Sequence, residues 1–195
     1  MQPEPRGGDS LLERLRGVVR VEEPVPAPEG ARRASVLLLF DPSSETLPLL
    51  FILRSAALRA HAGQIAFPGG AEESADADVV ATALREAHEE MALRPDNVEV
   101  IGVLPSFLTA VSQLWLTPVV GLQHAPWTIV ADRTEVAEWF RIDLATLLKA
   151  PHTVRDFPRA GRSRAVHFYE VGPRVIWGVS AAILHELLAR LGRRD

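Results

Sequence analysis

The stretch Val79-Val80-Ala81-Thr82-Ala83-Leu84-Arg85-Glu86-Ala87-His88-Glu89-Glu90-Met91-Ala92-Leu93 decides how this chain is read. Val80, Leu84, Ala87 and Met91 follow one another at the spacing that lines up one face of an α-helix. That apolar stripe predicts a helix over residues 79–93, packed on a sheet. Glu86, Glu89 and Glu90 lie at i, i+3 and i+4, so their carboxylates converge within one turn beside the stripe. Like charges this close repel unless something offsets them. Arg85, four residues before Glu89, can form an ordinary ion pair and leave a solvated acidic face, which is what a Glu pair on a helix usually is. The sharper reading is a hard divalent cation, because Mg²⁺ prefers carboxylate oxygen and keeps waters that can act as nucleophiles. The chain has no cysteine, and no compact His cluster stands out in the sequence to compete for a softer metal.

Upstream of the helix, Phe67-Pro68-Gly69-Gly70 runs into an acidic stretch from Glu72 to Asp78. Gly69-Gly70 permits positive φ and close approach of the chain to a ligand, while Pro68 stiffens the path into it. Further back, residues 34–40 and 47–54 are almost continuously apolar on either side of Asp41-Pro42-Ser43-Ser44, the pattern of two buried strands joined by a turn. Ser10 can cap a short helix carrying Leu11, Leu12, Leu15 and Val18, which the prolines and glycines of residues 22–30 break off. Residues 1–30 therefore read as a helix and linker appended to a domain of residues 31–195. Downstream, strands are predicted at 98–104, 114–120, 127–131, 136–142, 166–171 and 175–178. A short helix is predicted at 144–148, and a closing helix at 180–191 aligns Ile183, Leu184, Leu187, Leu188 and Leu191. Strands mixed with a few helices indicate a layered α/β domain.

At 195 residues the chain fits one ordinary domain. Its net charge of −4 and lack of a dense basic run argue against a nucleic-acid groove. The longest apolar runs fall far short of the roughly 18 residues a membrane helix needs, and the first ten residues lack the apolar core of a secretory signal. A cytoplasmic protein is the expectation. Lys149 is the only lysine among 21 basic residues. Codon usage can produce that skew, yet guanidinium groups are also the preferred grips for phosphate and carboxylate, so small anionic ligands stay open.

Gly-Gly, an acidic stretch and Arg85-Glu86-Ala87-His88-Glu89-Glu90 together resemble the Nudix box, whose pattern is G-x5-E-x7-R-E-U-x-E-E-x-G-U with U aliphatic. Ala87 and Leu93 occupy aliphatic positions. Counting back from Arg85 places Ala77 at the isolated Glu and Ala71 at the leading Gly, so one extra residue is needed if Gly70 is that Gly. Asp76 or Asp78 then replaces the Glu. Ala92 stands at the family's final Gly, so the helix end lacks its usual positive-φ residue and is expected to run on or close differently. Upstream, Arg54-Ser55-x3-Arg59-x3-Gly63-x3-Phe67-Pro68-Gly69-Gly70 is similar to the signature that precedes the box in coenzyme A diphosphatases, where the one-residue-longer loop also occurs. Phe51 and Ile52 depart from the Leu-Thr usual before it. The resemblance covers residues 50–93.

What it implies is an α/β/α sandwich with a mixed β-sheet that uses Mg²⁺ or Mn²⁺ to cleave a diphosphate joined to a nucleoside. For coenzyme A the products are 3′,5′-ADP and 4′-phosphopantetheine. Glu86 and Glu90 match the principal metal ligands, with the Gly70 carbonyl a further candidate. Glu89 matches a third carboxylate that binds another ion or acts on the water, and Arg85 holds the carboxylates in place. Glu135 and Glu138 are open as general bases, against a reading as surface acids. Arg54 and Arg59 are candidates for the diphosphate or the 3′-phosphate, or for structural ion pairs. His61 and His88 read as exposed or capping, and most of Trp115, Trp127, Trp139 and Trp177 as core. ADP-ribose, a dinucleotide, or a binding module without turnover are the competing functions, and the protein is expected as a monomer or homodimer.

Overall fold

The computed structural model describes residues 10–19, 26–58, 60–109, 113–159 and 162–193. In chain order its first half contains α1 (Leu11–Val18), β1 (Arg32–Phe40), β2 (Pro48–Arg54), β3 (Ile65–Ala66), β4 (Gly69–Ala71), α2 (Val79–Met91), β5 (Val98–Val103) and β6 (Phe107–Leu108). The second half contains β7 (Leu114–Gln123), β8 (Val136–Asp143), α3 (Leu144–Lys149), β9 (His152–Arg159), β10 (Arg162–Val171), β11 (Arg174–Trp177) and α4 (Gly178–Arg190). The sheet is mixed. β1 runs parallel to β7 from Arg32↔Leu114 to Phe40↔Leu122 and antiparallel to β4, where Ser35 faces Gly70. β2 pairs antiparallel with β8 and β3, and β5 and β6 flank β7 antiparallel. β9, β10 and β11 form a separate antiparallel meander.

Alternation along the central strands sets the layers. Leu37 and Leu39 of β1, with Leu50 and Ile52 of β2, pack against Ala83, Ala87 and Met91 of α2. Leu38 and Phe40, with Leu49 and Phe51, face the opposite way, into a cluster with Leu184, Leu187 and Leu188 of α4, Tyr169 and Ile176 of the meander, and Leu15 of α1. Each fully buried side chain of this kind contributes about 1.5–3 kcal/mol, so both faces of β1 and β2 are held. The expected α/β/α sandwich with a mixed sheet is what forms.

Local chemistry accounts for the element ends. Ser10 and Glu13 build a reciprocal capping box on α1, and Arg16 forks onto Glu99 at 2.9 and 2.8 Å, tying that helix to β5. Asp78 caps α2 by accepting from the Ala81 N–H at 2.8 Å. Ala92 closes α2 in the left-handed conformation, φ 54° and ψ 28°, with its N–H bonded back to the Ala87 and His88 carbonyls. The expectation that losing the family's Gly would change this closure is therefore corrected: alanine takes the same conformation at a steric cost.

Other expectations are also revised. Residues 127–131 are not a strand. They form an irregular segment pinned to the end of α2, with Val130 N–H and Trp127 Nε1 donating to the Met91 carbonyl and Asp132 N–H to that of Glu90. None of the four tryptophans is fully buried: Trp139 and Trp177 are each 41% exposed, and Trp115 and Trp127 are intermediate. The sequence pattern predicts no strand where β9 forms and starts β10 only at residue 166, because the meander is half-exposed and carries Arg, Asp and Thr where a buried strand would be apolar. Among the described residues no helix is long and apolar enough to cross a membrane.

Candidate active site

The box loop and α2 meet where β4 runs beside β1. Gly69, at φ +151°, sits so tightly that a Cβ there would fall 2.6 Å from the Cα of Val36, so only glycine fits. Its N–H donates to Glu90 Oε2 at 3.0 Å. At Gly70 an added Cβ would fall 2.6 Å from Glu86 Oε2. The absent side chain is the space in which the Glu86 carboxylate lies.

The stripe on α2 is rotated from the simple reading. Ala83, Ala87 and Met91 are core, Val80 and Leu84 flank them, and Glu90 is only 2% exposed. Burial among apolar groups pushes the Glu90 carboxyl up to about 8, the Gly69 bond and nearby Arg54 opposing this only in part. Glu86 is half-buried and is raised for the same first reason, with Arg85 pulling the other way. Glu89, in contrast, points outward, its side chain 56% exposed. The three carboxylates therefore share one patch in three degrees of burial.

Arg85 organises them. Its Nε and one terminal nitrogen grip Asp76 as a fork at 2.9 and 3.0 Å, and the same terminal nitrogen donates to the Ala71 carbonyl at 2.9 Å. The other terminal nitrogen donates to Glu86 at 3.1 Å and Glu89 at 3.0 Å. Asp76 is held down to about 2 by this guanidinium. Of the two aspartates that could replace the family's isolated Glu, Asp76 meets Arg85 while Asp78 is occupied as the helix cap.

Arg54, at the end of β2, brings one guanidinium nitrogen to 3.6 Å from Glu90 Oε1 without a hydrogen bond. Among the described residues Glu90 Oε1 and Arg54 Nε are buried without a hydrogen-bond partner. A buried carboxyl oxygen and a buried guanidinium nitrogen, each with unused hydrogen-bonding capacity, suit a cation beside an anionic ligand. Glu135 is half-buried where its charge acts on both Glu86 and Glu90. Glu138 is exposed and forked by Arg174 at 2.6 and 3.2 Å, the arrangement of a surface acid. His88 is exposed and meets the Leu93 carbonyl at 3.0 Å, a capping contact as expected. Arg59 lies outside the described residues.

A cleft of about 520 Å³ opens at this corner. Arg54, His61, Gln64, Gly69 and Gly70 line one end, and Phe107, Leu116, Val166, His167, Trp177 and Ile183 line the rest. The far wall comes from β6, the meander and α4; of it the sequence offered only Trp177, read mainly as core, and the structure leaves that ring partly exposed against the cleft. The NUDIX domain family matches residues 30–160. The chain belongs to the Nudix family.

Among Nudix relatives, the Uncharacterized Nudix hydrolase NudL of Pectobacterium atrosepticum is 43% identical over 151 residues, covering 76% of this chain and 78% of the relative. The protein of the same name from Enterobacter sp. strain 638 is 38% identical over 164 residues, covering 84% and 85%. The MutT protein of Methanosarcina mazei Go1 shares the fold, with a TM-score of 0.52 at 15% identity over 86% of this chain and 97% of that one. Nudix hydrolases cleave nucleoside diphosphate derivatives, generally with a divalent ion such as Mg²⁺, and that coarse activity is this chain's.

Proposed function

We propose that this Nudix hydrolase cleaves the diphosphate of coenzyme A or its derivatives, with Mg²⁺ or Mn²⁺, giving 3′,5′-ADP and 4′-phosphopantetheine. The observation that supports the reading is the junction of the two motifs. Arg54 and Gly69, which bound the upstream signature, both contact Glu90 of the box. Arg54, Gly69 and Gly70, which lie against the box carboxylates, also line a cleft of about 520 Å³ whose remaining wall is largely apolar. Such a wall suits a substrate with a diphosphate at its middle and extended, partly apolar arms.

Glu86, Glu90 and the Gly70 carbonyl would hold the cation, with Glu89 available to a further one. When bound, the cation neutralises diphosphate charge and makes a water more acidic. Arg85 keeps Glu86 and Glu89 in place through its two bonds, anchored in turn by Asp76 and Ala71. Arg54 would offer its guanidinium to a phosphate oxygen, and Arg59 is a second candidate for the substrate's phosphates. Glu89 and Glu135 are the two carboxylates suited to accept the proton of the attacking water. Their Gln variants separate them, since only the true acceptor's loss removes the acidic limb of the pH profile of kcat.

The test is a substrate panel of coenzyme A, ADP-ribose and dinucleotides. Coenzyme A should lead in kcat/KM by at least about tenfold, and Arg54→Ala should raise its KM. Preference for ADP-ribose overturns the substrate assignment, and binding without turnover of any member makes the chain a binding module.

A further inference from the structure

Three of the chain's six histidines converge far from the box in sequence: His152 on β9, His167 on β10 and His185 on α4. One ligand nitrogen from each lies within 4.8 Å of the other two. All three are half-buried, and their rings pack at centroid distances of 4.3 to 5.2 Å, His152 stacked on the other two. This corrects the expectation from sequence that no His cluster competes for a softer metal. The cluster is invisible there because only the β9–β10 register and the packing of α4 assemble it.

We infer that His152, His167 and His185 form a second metal site, selective for a borderline divalent ion such as Zn²⁺. Each imidazole can offer one ring nitrogen to an ion, and the fold brings three such nitrogens together within 4.8 Å. Imidazole nitrogen selects Zn²⁺-type ions over Mg²⁺. His152 Nε2 and His167 Nδ1 are 2.9 Å apart, against about 3.3 Å for two nitrogens on a tetrahedral ion with bonds near 2.0–2.1 Å. A shift of a few tenths of an ångström therefore converts the pair from sharing a proton to sharing a metal. Tyr169 Oη lies 3.1 Å from His185 Nδ1. With the hydroxyl accepting from Nδ1–H, the Nε2 lone pair ligates, the kind of outer contact that fixes a ligand's tautomer and aim. Three histidines leave one coordination position for water or a ligand group. Because His167 also lines the cleft, the ion would fix the cleft wall formed by β10 and α4.

The test uses the full chain, stripped with EDTA and returned to saturating Mg²⁺ so that a hard ion fills the carboxylate site. Titrated Co²⁺ should bind as one equivalent with the intense visible absorption of a four- or five-coordinate nitrogen site, and Zn²⁺ should displace it. His167→Gln and His185→Gln should each weaken Zn²⁺ binding at least about tenfold, while the exposed His124→Gln leaves it unchanged. Losing a stacked ring can itself loosen the meander, so the unaltered protein supplies a second readout. In histidine side-chain NMR, one equivalent of Zn²⁺ should move the signals of His152, His167 and His185 and leave the other three in place. A Co²⁺ spectrum no stronger than that of the hydrated ion, or three unmoved signals, overturns the site. Neither readout depends on which diphosphate the enzyme cleaves.

Discussion

Replacing Glu90 by Gln should stabilise the metal-free protein at alkaline pH while abolishing turnover. The folded protein holds the Glu90 proton up to about 8, against a usual 4.5, because the carboxyl is buried. Between those values the folded state binds a proton that the unfolded chain releases. Its stability is therefore fully present below pH 4.5 and is lost as pH rises through 8. At about 1.4 kcal/mol per pH unit, the full displacement is worth up to about 5 kcal/mol, and the part falling between pH 5 and pH 8 is about 3 kcal/mol. Gln mimics the neutral carboxyl and does not titrate. Urea unfolding of both proteins in EDTA should show wild type losing about 3 kcal/mol relative to Glu90→Gln between pH 5 and pH 8. Saturating Mg²⁺ should remove that pH slope from the wild type and leave the variant unchanged. Equal slopes in EDTA would mean that Glu90 is hydrated and ionised, and the reasoning from burial would fail.

Other outcomes follow from the same geometry. Gly70→Ala should cost most of the turnover while the fold survives, checked by kcat and circular dichroism, because its Cβ claims the space of the Glu86 carboxylate. Ala92→Gly should stabilise by about 1 kcal/mol, since it relieves the left-handed closure of α2; a chemical denaturation midpoint reads it directly. Asp76 is held down to about 2 by Arg85, so its contribution is present above pH 3.8 and is lost as pH falls through 2. Asp76→Asn should therefore flatten the acid limb of the stability profile, and an unchanged limb would count against the fork.

Much of this site was legible in the sequence because it is local. The Glu86, Glu89 and Glu90 spacing fixes three carboxylates on one turn, and Arg85 needs only that turn to reach Glu89. The choice between Asp76 and Asp78 was not legible: either spacing reaches Arg85, and the capping bond to Ala81 is what commits Asp78 elsewhere. The tryptophans and residues 127–131 misled for a shared reason. Aromatic and β-branched runs resemble strands, yet here Trp127 packs its edge onto the last turn of α2 instead. The meander hid its face because exposed strands carry mixed chemistry, and the three histidines meet only through β9–β10 pairing and α4 packing.

Incubating the purified protein with coenzyme A and Mg²⁺ and weighing the products by mass spectrometry tests the proposed reaction most directly. The expected result is equimolar 3′,5′-ADP and 4′-phosphopantetheine from the wild type and neither from Glu90→Gln. Intact coenzyme A, or loss of the 3′-phosphate alone, would contradict it.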